Sequence, residues 1–305
     1  ADALNCFHFY KDVPRMFDAW DIDSNYREQE LEGAFDVCTE LVADGIEAVI
    51  KVTGKIGKSS YTQYIRLAKD SRRLEFDTTI DWKELHRLLK TSFPVAVYAE
   101  NGINEMQFGY VMRPTHRSRE YEKDRFEVCN HRFTDLSELR YGAALLNDCK
   151  YGHSVKDSDM ALTLIKSGIE PNPVADQEEH YFTYAIYPHA EKWQEAKTVE
   201  QAYDLNQPAI AVAGGKPGSL LSKASVDRSN VVLETIKCAE SGHGIIIRMY
   251  ESENALTKTN LVVEGNYNKA FVCNLLEEEE AELELKDGVV CVQLKPYEVV
   301  TVKLV

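Results

Sequence analysis

Eight histidines and 50 carboxylates are the side chains of this sequence best suited to chemistry, and their spacing decides which chemistry is open. His8, His86, His116, His131, His153, His180, His189 and His243 form no HxH, HExxH or HxxxH pair, the spacings that aim two imidazoles at one metal ion. The spacing therefore signals no dedicated metal site. Gly214-Gly215-Lys216-Pro217-Gly218 fails as a phosphate cradle because Pro217 interrupts the helix whose amino terminus would hold the anion. No GxSxG elbow and no recognisable cysteine nucleophile signature occurs. A carboxylate pair for glycosidic acid/base work is neither excluded nor located by counting.

The richest stretch is Gln107-Phe108-Gly109-Tyr110-Val111-Met112-Arg113-Pro114-Thr115-His116, followed by Arg125-Phe126-Glu127-Val128-Cys129-Asn130-His131-Arg132-Phe133. Polar residues alternate there with bulky ones on neighbouring strands. Such a pattern lines a concave sheet face, where sugars stack on aromatics and hydrogen-bond to Asn, Asp, Arg and His. It equally makes the inner polar lining of a large sandwich, satisfied by its own partners. The residues alone favour the second reading.

The elements that must position these side chains are short strands. Ala48–Val52, Tyr61–Ile65 and Leu74–Ile80 read with period two or as apolar runs bounded by turn residues. Phe93–Ala99, Met106–Met112, Arg125–His131, Tyr141–Asn147, Ala161–Ile165 and Tyr181–Tyr187 follow at similar spacing. Strands without intervening helices predict antiparallel sandwiches. Glu191–Asn206 carries helical spacing, with Pro208 as its stop, whereas Trp82–Lys90 reads as a bend leading into a strand. A Gly/Pro cluster at Ala213–Gly218 predicts a boundary, giving a β supersandwich over residues 1–212 and a small β domain over 213–305. Glu277-Glu278-Glu279-Glu280 reads as a solvated turn.

With 35 Lys+Arg against 50 Asp+Glu, the formal charge of −15 repels phosphate backbones and anionic lipid, which disfavours nucleic-acid and membrane partners. No apolar run approaches the ~20 residues that span a bilayer. Seven scattered cysteines without CxxC spacing suit a reducing, cytoplasmic setting. The chain opens on Ala1 rather than Met, which suggests a piece of something longer.

A specific resemblance runs through these motifs. Asp12-Val13-Pro14 with Phe17–Asp23, Ile80-Asp81-Trp82-Lys83-Glu84, Leu88-Leu89-Lys90, Phe93-Pro94-Val95, Gln107-Phe108-Gly109 and Arg113-Pro114-Thr115-His116 occur in order. Arg125–Cys129, Asp135–Glu138, Ala144–Gly152 and His180–His189 continue the series. Together they resemble the carboxy-terminal β region of the cytosolic and bacterial class II α-mannosidases, glycoside hydrolase family 38. The resemblance covers essentially the whole chain and implies a mainly β fold, a galactose-mutarotase-like supersandwich followed by a small β domain. It further implies that zinc, the nucleophile and the acid/base carboxylate of a retaining α-mannosidase belong to an upstream catalytic domain. No cofactor and no catalytic residue is then expected in this chain. Two segments depart from the family pattern: Arg117-Ser118-Arg119-Glu120-Tyr121 stands where an Asn-Thr pair and a Trp are usual, and Lys166 where an Arg is. Lysine lacks the planar fork of arginine.

The expected role is support of that catalytic domain, with α-mannoside glycans and the upstream domain as partners and the oligomeric state open, a homo-oligomer included. A stand-alone glycan-binding module and a mutarotase-like epimerase are the alternatives. Arg113, His116, His131, Asn147, Asp148 and Lys150 are the candidates for contact with sugar or with the neighbouring domain. Trp20, Phe126, Leu145, Leu146 and Phe182 are expected to be buried.

Overall fold

The computed structural model describes residues 3–211, 213–214 and 223–305. The chain is mainly β and divides into two compact units, one comprising the residues up to Glu105 with Val111–Pro208, the other Met106–Tyr110 with Ala209–Val305. The Gly/Pro cluster expected to mark the boundary lies, beyond Gly214, outside the described residues.

The first unit carries β1 (Cys6–Lys11), β2 (Phe35–Asp44), β3 (Glu47–Ile56), β4 (Ser59–Ala68), β5 (Leu74–Asp81), β6 (Arg87–Pro94) and β7 (Asn101–Met106). It continues through β8 (Gly109–Pro114), of which only Val111–Pro114 belong to this unit, β9 (Val128–Cys129), β10 (Phe133–Ser137), β11 (Tyr141–Asn147), β12 (Gly152–Lys156), β13 (Asp159–Ser167) and β14 (Glu179–Ala190). Their pairing gives a nine-stranded sheet, β2-β3-β4-β5-β14-β11-β10-β7-β8, and a five-stranded sheet, β1-β6-β13-β12-β9. Among these pairs, β5 runs antiparallel to β14 and β6 antiparallel to β13. Period-two sequences make this possible, since alternate residues reach one core between the sheets. Phe76, Ile80, Leu145, Phe182 and Tyr184 enter it from the larger sheet, and Leu89, Phe93, Met160, Leu162 and Leu164 from the smaller.

A polar knot sits among these apolar residues. Gln63 donates to Thr78 and Tyr184 at 2.8 Å each, Tyr184 donates to Asn5 Oδ1 at 2.6 Å, and Asn5 donates back to Gln63 at 2.7 Å. Each member has partners, the condition for burying such groups at low cost.

Two short helices, α1 (Glu120–Asp124) and α2 (Thr198–Asn206), interrupt the β pattern. The helix expected over Glu191–Asn206 thus begins only at Thr198, because Lys197 adopts a left-handed conformation (φ 58°) that breaks helical propagation. Trp82–His86 is a bend entering β6, as expected. The strand expected over Phe93–Ala99 ends at Pro94, whose ring supplies no N–H to a ladder.

Leu145, Leu146 and Phe182 are buried as expected; Trp20 and Phe126 are not. Trp20 is 73% exposed, in a turn whose Trp20 and Asp21 amides both donate to the Phe17 carbonyl. Phe126 lies in the loop before β9 and packs against the Tyr26 ring at 6.3 Å, half-buried. Neither residue sits on a strand, so the alternation that buries sheet residues does not act on them.

The second unit holds β15 (Ala224–Val226), β16 (Val231–Cys238), β17 (Ile245–Glu251), β18 (Thr257–Val263) and β19 (Ala270–Cys273), then β20 (Glu279–Leu283), β21 (Leu285–Lys286), β22 (Val289–Leu294) and β23 (Val299–Leu304). A four-stranded sheet, β15-β18-β22-β21, and a five-stranded sheet, β16-β17-β23-β19-β20, share a core of Ile247, Met249, Leu261, Val290 and Val302.

Candidate functional site

The candidate polar residues fall into two groups. The first is gathered where β10 and β11 meet α2, because β11 ends at Asn147 and the chain turns sharply there. Asn147 builds that turn: its amide group donates to the His131 carbonyl at 2.8 Å while its side-chain oxygen accepts the Lys150 N–H at 2.9 Å. Asp148 Oδ2 accepts the Thr183 N–H at 2.9 Å, fixing the turn to β14. The Lys150 ammonium lies 4.6 Å from the centre of the Phe182 ring, and burial pulls its pKa down.

Beneath this turn lies a buried ion pair. Glu105 Oε1 accepts from Arg132 Nε at 2.9 Å and Nη2 at 2.5 Å, and Glu105 Oε2 accepts the Arg132 backbone N–H at 2.7 Å. The guanidinium carbon stands 3.8 Å from the centre of the Tyr203 ring on α2. Burial alone would lower the Arg132 pKa, but Glu105 outweighs it and holds the group above its usual range. His131 completes the cluster, with Nδ1 3.8 Å from Glu105 Oε2 and its ring 5.3 Å from that of Tyr151. Burial pushes His131 towards the neutral form.

Arg113 and His116 form a separate group. Arg113, half-buried at the end of β8, donates to Asn104 Oδ1. His116 is exposed, with Nδ1 3.4 Å from Glu122 Oε2. Among the described residues no hydrogen bond, ion pair or ring contact joins either residue to the Asn147–Lys150 turn.

A third cluster, not among the sequence candidates, occupies a groove of about 750 Å³ on the outer face of the five-stranded sheet. Glu127 is its centre: Tyr26 donates to Oε1 and Lys90 to Oε2, both at 2.5 Å. His8 bridges Glu30 at 2.7 Å and Ser92 at 2.8 Å along the same groove. The signal available in the sequence was Lys90 between Leu88-Leu89 and Phe93, a charge on a strand that must find a partner.

At the family's second departure, Lys166 reaches Asp12 at 3.0 Å and donates to the Asp18 carbonyl at 2.6 Å. It pairs with a buried carboxylate there, so a point charge suffices.

These arrangements anchor loops and strand ends. Among the described residues no group of three or more His, Cys, Asp and Glu is placed to hold a metal ion.

The chain is thus mainly β, with a pair of sheets in each of its two units. Residues 1–174 match the glycosyl hydrolases family 38 C-terminal domain, and residues 230–302 the family 38 C-terminal β-sandwich domain. The chain belongs to glycosyl hydrolase family 38, in its C-terminal region. Human alpha-mannosidase 2C1 is 35% identical over 99% of this chain, and alpha-mannosidase G of Dictyostelium discoideum 31% identical over 97%. The chain spans only 30% and 28% of the length of these two relatives. The crystal structure of an alpha-mannosidase from Enterococcus faecalis covers 98% of the chain with a TM-score of 0.75 at 17% identity, and 38% of its own length is matched. That likeness concerns the fold.

Proposed function

We propose that this chain is the non-catalytic β portion of a longer α-mannosidase, which hydrolyses terminal α-mannosyl linkages with retention on an upstream, zinc-dependent catalytic domain. The observation that carries the reading is the match of nearly the whole chain to less than a third of the length of two proteins named for alpha-mannosidase. On this reading the chain alone is inactive. Residues 1–212 form the supersandwich that buttresses the catalytic domain and 213–305 the small terminal domain. Arg113, His116, His131, Asn147, Asp148 and Lys150 hold the surface turned to that domain or to its α-mannoside glycans. The engaged partners of Asn147 and Asp148 support the domain contact over direct sugar binding.

A cytoplasmic location is part of the proposal. Its support is that all seven cysteines are free thiols, five of them exposed, as a reducing compartment permits. No helix among the described residues is long and apolar enough to cross a membrane.

The test compares this chain with the longer polypeptide on an aryl α-mannoside, with metal content measured by elemental analysis. Turnover and zinc are expected in the longer protein alone. Chelator-sensitive turnover by the 305-residue chain would overturn the assignment.

A further inference from the structure

Three arginines share the lining of one small cavity. Arg113, Arg117 and Arg125 line it together with Asn104, Val128 and Val155, around a volume of about 30 Å³. Arg113 is spent on the Asn104 side-chain oxygen, Arg117 donates to the Phe126 carbonyl at 3.2 Å, and Arg125 lies 5.5 Å from the Tyr121 ring centre. No carboxylate forms an ion pair with any of the three among the described residues.

The one acidic side chain in the lining, Glu122, is already engaged. Its Oε2 accepts the Ser118 N–H at 2.9 Å and the Arg119 N–H at 2.8 Å, and lies 3.4 Å from His116 Nδ1. That is an excess of cationic charge within a protein of formal charge −15. Arg113 and Arg117 are half-buried and Arg125 is exposed, so solvent screens their mutual repulsion only in part. Burial and the neighbouring Arg125 accordingly pull Arg113 below its usual range.

We propose that this cavity is a binding site for a small inorganic anion, a halide or a tetrahedral oxyanion. Its volume is far below the ~300 Å³ of sites that enclose organic ligands, which excludes a sugar or nucleotide. Guanidinium forks supply the donors, and the ion supplies the missing counter-charge. Arg113 lies on β8 whereas Arg117 and Arg125 flank α1, so one ion ties the loop bearing α1 to the edge of the sandwich. Arg117 belongs to the segment that departs from the family pattern. The site is independent of the mannosidase reading.

The thermal midpoint of the full chain is measured in millimolar sodium chloride and, separately, sodium phosphate. Ionic strength is held constant with sodium gluconate, whose anion is too large for the cavity. A saturable rise of about 2–4 °C is expected with chloride or phosphate. Arg125→Gln and Arg117→Gln should each remove at least half of that increment, whatever their own baseline. The chloride and phosphate arms distinguish halide from oxyanion. Equal midpoints in all three salts, or the full increment retained in both variants, would overturn the site.

Discussion

Lys90 Nζ lies 2.5 Å from Glu127 Oε2 although the lysine is only 2% exposed and sits on the central part of a strand. Burial pulls the Lys90 pKa down and the pairing with Glu127 pulls it back up, with the first effect the larger. Tyr26 also donates to Glu127, and Ser154 stands 3.2 Å from the amine, so removing the carboxylate disturbs a whole network.

Glu127→Gln should therefore cost about 3–5 kcal/mol, since it leaves a buried ammonium without its counter-charge. The double change Lys90→Met with Glu127→Leu should cost clearly less than Glu127→Gln alone. Chemical denaturation of the three proteins checks both statements, and an equal or larger loss in the double variant contradicts the account.

His153 supplies a pH dependence. It is fully buried, neither ring nitrogen has a hydrogen-bond partner, and burial with the charges of Lys90 and Arg113 pushes its pKa down to about 3. In the unfolded chain the imidazole takes up a proton below about pH 6.5, while the folded chain refuses it until about pH 3. The unfolded state thus binds more protons across that window, and stability falls as the pH drops through it. The contribution is at most about 1.4 kcal/mol per pH unit. His153→Leu should flatten the stability curve between pH 6 and 4 by up to that slope, measured by denaturant titration at each pH.

Phe182 and Trp20 should respond oppositely to truncation. Phe182 is 3% exposed and packs 6.2 Å from Tyr184 in the inter-sheet core, so Phe182→Ala should cost ~3–5 kcal/mol. Trp20 is 73% exposed, and Trp20→Ala should change the stability of this chain by less than about 0.5 kcal/mol. Unchanged melting of Phe182→Ala would contradict the sandwich core.

The contrast shows where sequence reading worked. Leu74–Ile80 and Tyr181–Tyr187 alternate because one face enters the core, and they were readable as strands. β18 carries the same signal, with Thr257, Thr259, Leu261 and Val263 buried and Lys258, Asn260 and Val262 exposed, but threonines on the inner face hide it from a count of apolar residues. β2 gave no signal, since all of its residues are at least partly exposed and its pairing with β3 is bulged. Most of the candidate site was legible only as residue types. Neighbours such as Glu105 and Arg132 are 27 positions apart and meet only through strand pairing. Arg113 and His116 share a motif with the site but point to different partners, which no spacing rule encodes.

Asp148 tests whether the turn after β11 is structural. Its carboxylate accepts the Thr183 N–H, and Asp148→Ala leaves that amide unpaired beside the half-buried turn, at about 1–3 kcal/mol. Asn147→Ala removes two hydrogen bonds from the same turn, to the His131 carbonyl and from the Lys150 N–H, and should cost at least as much. In the longer polypeptide, both variants should lower the thermal midpoint while the KM for an aryl α-mannoside changes less than threefold. The reason is that both polar atoms of Asn147 are spent on bonds that hold the turn, and the one Asp148 oxygen without a hydrogen-bond partner, Oδ1, is buried. Asp148→Asn separates the two roles, because it keeps an oxygen for the Thr183 amide and removes the negative charge. An Asp148→Asn protein with unchanged melting and a KM raised tenfold or more would show that the turn contacts substrate directly.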